Sequence, residues 1–300
     1  TLANLTLYPN ESYVDSRNSE LVVHPLYGDQ MLLGNGSALH RSMDGGNVWE
    51  VLMDWGTNWT VYEIEQGRLN PGRLYVVVRS GGTCKLFRTT NGGGSWGQLS
   101  SGLPTNWGSM EIALNPAEIN DIWAMQAGGT GLRRSTTGGT GWTDMTNALW
   151  AGESLREIIP IGGEGVLVFS DQGVYAYENA TSSWTDCSSG IPAYWAPLEG
   201  AAQYAQGVVR IADKGKGIWQ SNFPWAVSPQ AQPMTASPEV YCALDTVSFD
   251  CHSLLLHEGA SWAWSFDPEP LYVSSLSERR GQVVFGGGGA YDVGLTGVQA

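Results

Sequence analysis

Residues 42–49 read SMDGGNVW, and close copies of this stretch return along the chain as TTNGGGSW at 89–96 and STTGGTGW at 135–142. Each copy has a hydroxyl residue first, a small polar residue third, glycine fifth and tryptophan eighth. A weaker copy, YENATSSW at 177–184, lacks the glycine. The stretch is therefore one part of an internal repeat, and a repeat of fixed period decides the fold class before any single residue does.

A five-residue run precedes each of these turns and sets the period of the repeat. The runs read ALHRS, KLFRT, GLRRS, GVYAY and GIWQS and end at residues 42, 89, 135, 177 and 221, so the steps are 47, 46, 42 and 44. One step, residues 108–145, divides into SMEIALNP, NDIWAMQA, GLRRS and GWTDM, separated by Pro, Gly and Asn. Four short strands in about 45 residues is the period of a β-propeller blade. We therefore expect an all-β chain with five blades over residues 19–233.

The repeated stretch has a mechanical role in such a blade, because it joins the third strand to the fourth. The side chain at its third position accepts hydrogen bonds from the amides of the turn. Its glycines adopt positive φ at little cost, and its tryptophan covers the adjacent hairpin. These residues are expected to be scaffold and not catalytic.

The turns resemble the Asp-box, or BNR repeat, of sialidases, sortilin-type receptors and xyloglucan-processing glycosidases, whose pattern is Ser/Thr-x-Asp-x-Gly-x-x-Trp. The first copy matches that pattern fully, the second has Asn in place of Asp, the third has Thr there, and the fourth is degenerate. The resemblance implies a structural turn at the periphery of each blade, away from any active site. The implied structural residues are Ser42, Asp44, Gly46, Trp49, Thr89, Asn91, Gly93, Trp96, Ser135, Thr137, Gly139, Trp142, Asn179 and Trp184.

The two ends of the chain differ from the repeats. Residues 1–18 read as a strand of an upstream blade or as a closing segment. Asp-box propellers of the families named above usually have six or more blades, so the resemblance implies further blades upstream of this sequence. Around residue 233 the sequence becomes rich in Pro, Gln and Ser, a composition typical of a linker. We assign the linker to residues 234–238.

Residues 239–300 resemble a PKD domain, a small immunoglobulin-like β-sandwich. The resemblance lies in the strand series VSFDCHS, SWAWSFD and GAYDVGLTG. The Gly-Asp-Gly turn that follows Trp-x-Phe in that family is absent here, because Asp267 runs directly into Pro268. The resemblance therefore implies a spacer, and it carries over no role for that loop.

The composition excludes several classes of function. The chain has a net charge of −14 and only 15% charged residues, so no basic stripe is present to bind nucleic acid. No stretch approaches the ~20 apolar residues of a membrane helix. The cysteines and histidines form neither CxxC nor HExxH, and the EF-hand spacing is absent, so no metal and no cofactor is expected. Cys242 and Cys251 suit a local disulfide in an oxidising compartment, or else two buried free thiols.

No catalytic constellation is evident, so no catalytic residue is assigned. The Arg-Ile-Pro motif of sialidases and the G-x-S-x-G nucleophile elbow are both absent. An inverting glycosidase needs two carboxylates about 6.5–9.5 Å apart, and no spacing singles out a pair. Glu63 and Glu111 begin equivalent inner strands and are expected to face the central channel, where polar lining is the simpler role. The acidic residues considered are Asp54, Glu63, Glu65, Glu111, Glu118, Asp121, Glu153 and Glu157.

Aromatic residues give the other lead to a ligand. Five tryptophans fall in the loops that lead from one blade to the next, where they either stack on a ligand or pack between blades. They are Trp55, Trp59, Trp107, Trp150 and Trp195.

The combination resembles the large exported proteins of Bacteroidota. It predicts a noncatalytic binding or structural module of a secreted or cell-surface multidomain protein, with a glycan or protein ligand at a propeller face. The partners would be that ligand and other domains of a longer polypeptide, at the cell surface or outside the cell. The alternative is a polysaccharide-active glycoside hydrolase with part of its propeller upstream. A sortilin-like receptor would need a cysteine-rich module, which this sequence does not contain.

Overall fold

The structure is a computed structural model of the 300-residue chain. It describes residues 20–24, 28–99, 101–192, 194–203, 207–225, 233–235, 244–251, 261–278 and 280–298. The described residues form β-strands and one short 3-10 turn, Ala148–Trp150, so the all-β prediction is confirmed. The chain divides into two compact units, residues 1–201 with 211–219, and residues 202–210 with 220–300.

Four consecutive four-stranded antiparallel sheets, here called blades 1 to 4, make up most of the first unit. In each blade the strands pair in chain order, from an innermost to an outermost strand. Blade 1 contains β1 Glu20–Val23, β2 Met31–Asn35, β3 Ala38–Ser42 and β4 Glu50–Asp54. Blade 2 contains β5 Thr60–Gln66, β6 Leu74–Ser80, β7 Thr83–Thr89 and β8 Gly97–Leu99. Blade 3 contains β9 Glu111–Leu114, β10 Ile122–Met125, β11 Leu132–Ser135 and β12 Thr143–Asp144. Blade 4 contains β13 Leu155–Ile161, β14 Gly165–Ser170, β15 Val174–Glu178 and β16 Ser183–Asp186.

A fifth sheet, blade 5, has three strands within the described residues. They pair in the order β17 Pro197–Gln203, β18 Val208–Asp213 and β19 Gly217–Asn222. The third strand of the repeat is thus the last strand of this sheet, since no described strand pairs with the outer edge of β19.

The hydrophobic core of the first unit lies in the seams between consecutive blades. In β6 of blade 2, Leu74, Val76 and Val78 pack toward blade 1, while Tyr75 and Val77 pack toward blade 3. Both faces of this strand are therefore covered, which explains its continuous apolar run LYVVV. The apolar clusters around β6 therefore join side chains of consecutive blades.

The C-terminal part is built from two further sheets. One sheet has the order β20, β21, β24, β23, and the other pairs β22 with β25. Val247, Phe249, Trp264 and Val283 form the core between them. The strands are β20 Pro233–Thr235, β21 Thr246–Cys251, β22 Ser261–Asp267, β23 Tyr272–Val273, β24 Arg280–Val284 and β25 Asp292–Val298.

Two sequence predictions concern this C-terminal part. Pairing of β20 with β21 places residues 233–235 in its first sheet, although the sequence assigned 234–238 to a linker. Cys242 lies outside the described residues, so its disulfide with Cys251 stays a prediction. Two other cysteines, Cys84 and Cys187, are free thiols.

Candidate functional site in the channel

A glutamate lies at the same structural position on the innermost strand of every blade. The strand registers place it opposite the fourth residue of the second strand in blades 1 to 3, and opposite the fifth in blade 4. Because the innermost strands all begin at the same end of the blades, the glutamates share one end of the channel between them. They are Glu20, Glu63, Glu111 and Glu157, with Glu199 in the corresponding place on β17.

These glutamates accept backbone hydrogen bonds from the blade that follows. The Glu20 carboxylate accepts the Ile64 amide at 2.5 Å, and both Glu63 oxygens accept the Ile112 amide at 3.0 Å. Glu157 accepts the amide of Gly200 at 3.1 Å. Each such contact, called a seam bond below, joins two consecutive blades through a half-buried charge-bearing group.

The seam between blades 3 and 4 is made differently. Glu111 forms a side-chain hydrogen bond to Glu157, and burial raises the pKa of both groups. Glu157 also accepts the Ile158 amide at 3.0 Å. A proton shared between the two groups accounts for this contact, as in other close carboxyl pairs.

Burial and mutual repulsion hold protons on this cluster. Desolvation, and then the neighbouring Glu20 charge, raise the pKa of Glu65 to about 8. Desolvation also raises the pKa of Glu20 and of Glu157 to about 7. The pKa values of Glu63 and Glu111 lie well above the ordinary range for the same reason, with repulsion from neighbouring carboxylates added. The channel carboxylates, Glu20, Glu63, Glu65, Glu111 and Glu157, therefore have pKa values raised by burial and by their neighbours' charges.

The geometry of the pair limits the chemistry it can perform. Glu111 and Glu157 are close enough for a hydrogen bond between their carboxyl groups. Glycoside hydrolysis uses carboxyl groups about 5–5.5 Å apart in retaining enzymes and about 6.5–9.5 Å apart in inverting ones. The pair is thus arranged to bond to itself and to the blade backbone. Within the described part of the chain, no group of three or more His, Cys, Asp and Glu side chains has the geometry of a metal site.

The three repeated turns fold alike through local hydrogen bonds. In the first, the Ser42 hydroxyl accepts the Gly46 amide at 2.9 Å, and Asp44 accepts the Val48 amide at 2.8 Å. The indole of Trp49 donates to the Gly46 carbonyl at 2.9 Å. The corresponding bonds to the first and third residues recur with Thr89 and Asn91, and with Ser135 and Thr137. Glycines with positive φ close the turns at Gly45, Gly46, Gly92, Gly93, Gly138 and Gly139.

The fourth, degenerate turn is anchored in another way. The side chain of Asn179 donates to the Gly163 carbonyl at 2.8 Å, and its backbone amide donates to Glu164. Trp184 packs edge-on against Trp150 with ring centroids 4.7 Å apart. The tryptophan of this turn therefore packs against the core between blades 3 and 4, although the turn lacks the glycine.

The loop tryptophans pack against side chains of the blades. Trp107, Trp150 and Trp195 are at most 6% exposed, so they present no surface for stacking on a ligand. Trp150 also donates its indole N–H to the Thr130 carbonyl at 3.0 Å. Trp55 lies beside Phe87 and Trp96, and the Lys85 ammonium sits 4.4 Å above the Trp59 ring. Of the two readings open from the sequence, the described geometry favours inter-blade packing.

The other acidic candidates divide into structural partners and surface residues. Asp121 pairs with Arg134 at 2.8 Å, Asp54 accepts the Ser37 hydroxyl, and Glu153 accepts the Tyr175 hydroxyl. Sequence reasoning placed Glu63 and Glu111 in the channel but did not connect them with Glu20, Glu157 and Glu199. The missing signal was the recurrence of a glutamate at the step of the repeat itself.

Exposed aromatic residues at this end of the blades differ from those the sequence suggested. Tyr62 immediately precedes Glu63 and is 38% exposed, with its hydroxyl bonded to Ser109 at 2.9 Å. Tyr194, in the loop leading into β17, is 94% exposed and has a positive φ of 60°. The carbonyl of Tyr194 accepts a hydrogen bond from the Lys216 ammonium at 3.0 Å.

Comparison with known proteins places this geometry among β-propellers. No family model matches the chain. A xyloglucanase of Hypocrea jecorina (strain QM6a) is 29% identical over 114 residues, which is 37% of this chain and 13% of that protein. An ancestral GH74 enzyme superposes with a TM-score of 0.58 at 15% identity, over 69% of this chain and 31% of that one. The GH74 xyloglucanase of Xanthomonas campestris gives 0.51 at 15% identity, over 67% and 36%.

These likenesses define the class of fold. The chain spans 31% of the ancestral GH74 enzyme and, where it matches, 13% of the xyloglucanase of Hypocrea jecorina. The first unit is a β-propeller related in fold to glycoside hydrolases of the GH74 type. No helix among the described residues is long and apolar enough to cross a membrane.

Proposed function

We propose that this chain is a noncatalytic binding or structural module of a secreted or cell-surface multidomain protein. The observation that carries the proposal is the engagement of the channel carboxylates. Glu20, Glu63 and Glu157 bond the backbone of the following blade, and Glu111 bonds Glu157. Groups committed to the seams in this way act as scaffold.

The ligand we propose is a glycan or a protein segment at the end of the blades where the innermost strands begin. Tyr62 and Tyr194 are exposed there, and aromatic faces stack on sugar rings and anchor peptide side chains. The partial likeness to xyloglucanases favours a β-glucan over other glycans. The net charge of −14 suits an exposed location and disfavours acidic polysaccharides.

The remaining parts of the proposal concern organisation. The repeated turns act as Asp-boxes that close each blade, and the C-terminal part acts as a PKD-like spacer toward other domains of the polypeptide. Support for the spacer comes from two sheets that share one aromatic core around Phe249 and Trp264. The domain scheme is a propeller from residue 19 up to β20 and a sandwich over residues 239–300 that β20 joins, with residues 1–18 as a flanking strand.

Binding and turnover measured together test this proposal. Xyloglucan and mixed-linkage glucan would be assayed by affinity electrophoresis for capture and by reducing-end release for hydrolysis. We expect capture without release, unchanged in Glu111→Gln, and at least about tenfold weaker in Tyr62→Ala/Tyr194→Ala, since each tenfold corresponds to about 1.4 kcal/mol. Ser109→Ala, which keeps the Tyr62 ring, serves as the matched control.

Two results contradict the proposal. Release of reducing ends that disappears in Glu111→Gln or Glu157→Gln would establish the alternative, a polysaccharide-active hydrolase. Capture that is equally strong in the double tyrosine variant would place the ligand elsewhere and remove the role assigned to this end of the blades.

A further inference from the structure

A polar cavity of about 190 Å³ lies between blades 2 and 3, at the end of the blades where the innermost strands finish. The loop that joins β5 to β6, residues 67–73, lines one side, and the loop that joins β9 to β10, residues 115–121, lines the other. Tyr62 and Tyr194 lie at the opposite end of the blades, where the innermost strands begin. The cavity is therefore separate from the ligand surface proposed above.

Hydrogen bonds hold the two loops in place around the cavity. Within the first loop, the Gly67 amide donates to the Arg73 carbonyl at 2.9 Å. The Nη1 atom of Arg73 then crosses to the second loop, where it donates to the Ile119 carbonyl at 2.8 Å and to Asn120 Oδ1 at 2.7 Å. The shape of the cavity is thus built into the contact between the two blades.

Two buried polar atoms on residues that line the cavity have no hydrogen-bond partner among the described residues. They are Gln66 Oε1, an acceptor, and Arg73 Nε, a donor. Buried polar atoms in folded proteins are nearly always paired, because leaving one unpaired costs its full desolvation. A molecule that satisfies both atoms must offer an acceptor to Arg73 and a donor to Gln66.

A comparison of blades 2 and 3 shows what kind of acceptor is missing. In blade 3, Arg134 donates to both carboxylate oxygens of Asp121, at 2.8 and 3.0 Å. The strand registers place Arg73 and Arg88 at the equivalent two positions of blade 2. Blade 2 therefore has two arginines where blade 3 has an ion pair.

The charges of these arginines are not neutralised within the described part of the chain. Neither Arg73 nor Arg88 belongs to one of its ion pairs, and Arg88 Nη1 donates to the Gly138 carbonyl at 2.6 Å. Desolvation raises the pKa of Glu65, which lines the cavity, to about 8, so this carboxyl is protonated at neutral pH. Arg68 adds another guanidinium to the lining. Half-buried cations without a counterion favour an anion in the cavity.

We propose that this cavity binds a small hydroxycarboxylate, which neutralises the arginines of blade 2 as Asp121 neutralises Arg134 in blade 3. The carboxylate accepts the Nε–H of Arg73, and the hydroxyl donates to Gln66 Oε1. The cavity is smaller than the roughly 300–1,000 Å³ of pockets for drug-sized ligands, so it takes one small molecule and not a length of polymer. Free hydroxy acids and sugar acids share this chemistry, and the experiment separates them.

Calorimetric titration of the 300-residue chain with matched probes tests the proposal. L-lactate is compared with propionate, which lacks the hydroxyl, and D-glucuronate is compared with D-glucose, which lacks the carboxylate. We expect L-lactate or D-glucuronate to bind at least about tenfold more tightly than its matched probe, because each omission leaves one buried atom unpaired. Tighter binding of L-lactate would assign a free hydroxy acid, and tighter binding of D-glucuronate a sugar acid.

Two substitutions separate the two contacts. Arg73→Asp copies the arrangement of blade 3 by placing a carboxylate beside Arg88, so it should fold and lose at least about tenfold in affinity. Gln66→Leu should retain propionate binding and remove the preference for L-lactate. Arg41→Gln is the matched control, because Arg41 holds the position of Arg88 in blade 1 and bonds Glu50, and it should leave both affinities unchanged. Circular dichroism of each variant verifies that it is folded.

Four outcomes overturn the proposal. Equal affinity for L-lactate and propionate would remove the hydroxyl from the ligand. Inorganic phosphate that binds as tightly as the better acid would show a general oxyanion site. Unchanged affinity in a folded Arg73→Asp variant would place the ligand elsewhere. No heat of binding from any probe, together with an unchanged Tm, would mean that the cavity holds only solvent.

Discussion

Leu86 and Ile218 occupy the same place in two copies of one repeat, yet one is completely buried and the other is largely exposed. Leu86 lies in the seam between blades 2 and 3, covered by Met110 and Ile112 of the following blade. Ile218 has no such cover among the described residues. The comparison teaches that a blade carries only half of each interface, so the same residue contributes to stability or to association according to its neighbour.

The largest effect that tests this comparison comes from deleting the two side chains. We expect Leu86→Ala to lower the free energy of unfolding by about 2–5 kcal/mol, because a fully buried leucine leaves a cavity. Ile218→Ala should change it by no more than about 0.5 kcal/mol, as exposed positions do. Urea unfolding followed by tryptophan fluorescence measures both. Equal losses in the two variants would show that the Ile218 face is covered in solution.

A second effect concerns pH and the channel carboxylates. Their pKa values are raised in the folded state, to about 7 for Glu20 and about 8 for Glu65, so the folded chain binds more protons than the unfolded chain above pH 4.5. The stability they contribute is therefore complete below pH 4.5 and is lost as pH rises through 7 to 8. We expect Tm to fall between pH 5 and pH 9, by roughly 2–4 °C per kcal/mol.

The variant Glu65→Gln sharpens this test. It removes the ionisable group whose pKa rises to about 8 and keeps the shape of the side chain. We expect its Tm to vary less between pH 5 and pH 9 than that of the wild type. Glu50→Gln, on the outer surface of blade 1, is the control and should leave the pH profile unchanged. A wild-type Tm that rises over this interval would contradict the assignment of raised pKa values.

A smaller effect separates the two hydroxyl positions within one turn. Ser135 is 1% exposed and accepts the buried Gly139 amide at 2.9 Å. Ser135→Ala should cost about 1–3 kcal/mol, because it leaves that amide without a partner. Thr140→Ala removes only an exposed hydroxyl that donates to the Thr137 carbonyl at 3.1 Å, and should cost much less. Thermal unfolding by circular dichroism would rank them, and the opposite ranking would contradict the structural role of the turn.

The smallest effect is expected for the exposed ion pair on blade 1. Arg41 and Glu50 approach to 2.5 Å, but their side chains are 35% and 56% exposed. Glu50→Gln should change stability by at most about 1 kcal/mol, and less at high salt. Asp121→Asn is the contrasting change, since Asp121 is 7% exposed and bonds Arg134 twice. A larger loss in Glu50→Gln than in Asp121→Asn would reverse the expected order.

The sequence predicted the elements of the fold better than it predicted the site. The text of residues 108–145 divides at Pro, Gly and Asn into the four strands that the structure shows as β9 to β12. Turn residues and the alternation of apolar and polar side chains depend only on neighbouring residues, so the sequence of a single repeat is enough to predict the strands. The burial of Trp107, Trp150 and Trp195 depends on the next blade, and position in a loop does not reveal it.

The sequence did not predict the cluster of channel carboxylates, for a related reason. Glu65 and Glu199 are far apart in the chain, and only the arrangement of innermost strands brings them within electrostatic reach. The recurrence of a glutamate at each repeat was available in the sequence. Its meaning, a bond to the next backbone, required the register of the strands.

The seam bonds also bear on how such a chain can change its length over evolutionary time. Each bond joins a side chain of one blade to a backbone amide of the next, and every residue except proline supplies such an amide, as Gly200 illustrates. A duplication or deletion of one whole repeat therefore regenerates its own seam, without compensating substitutions in the neighbours. Insertions of a partial repeat break it. Blade number is in this sense a heritable quantity that changes in whole steps.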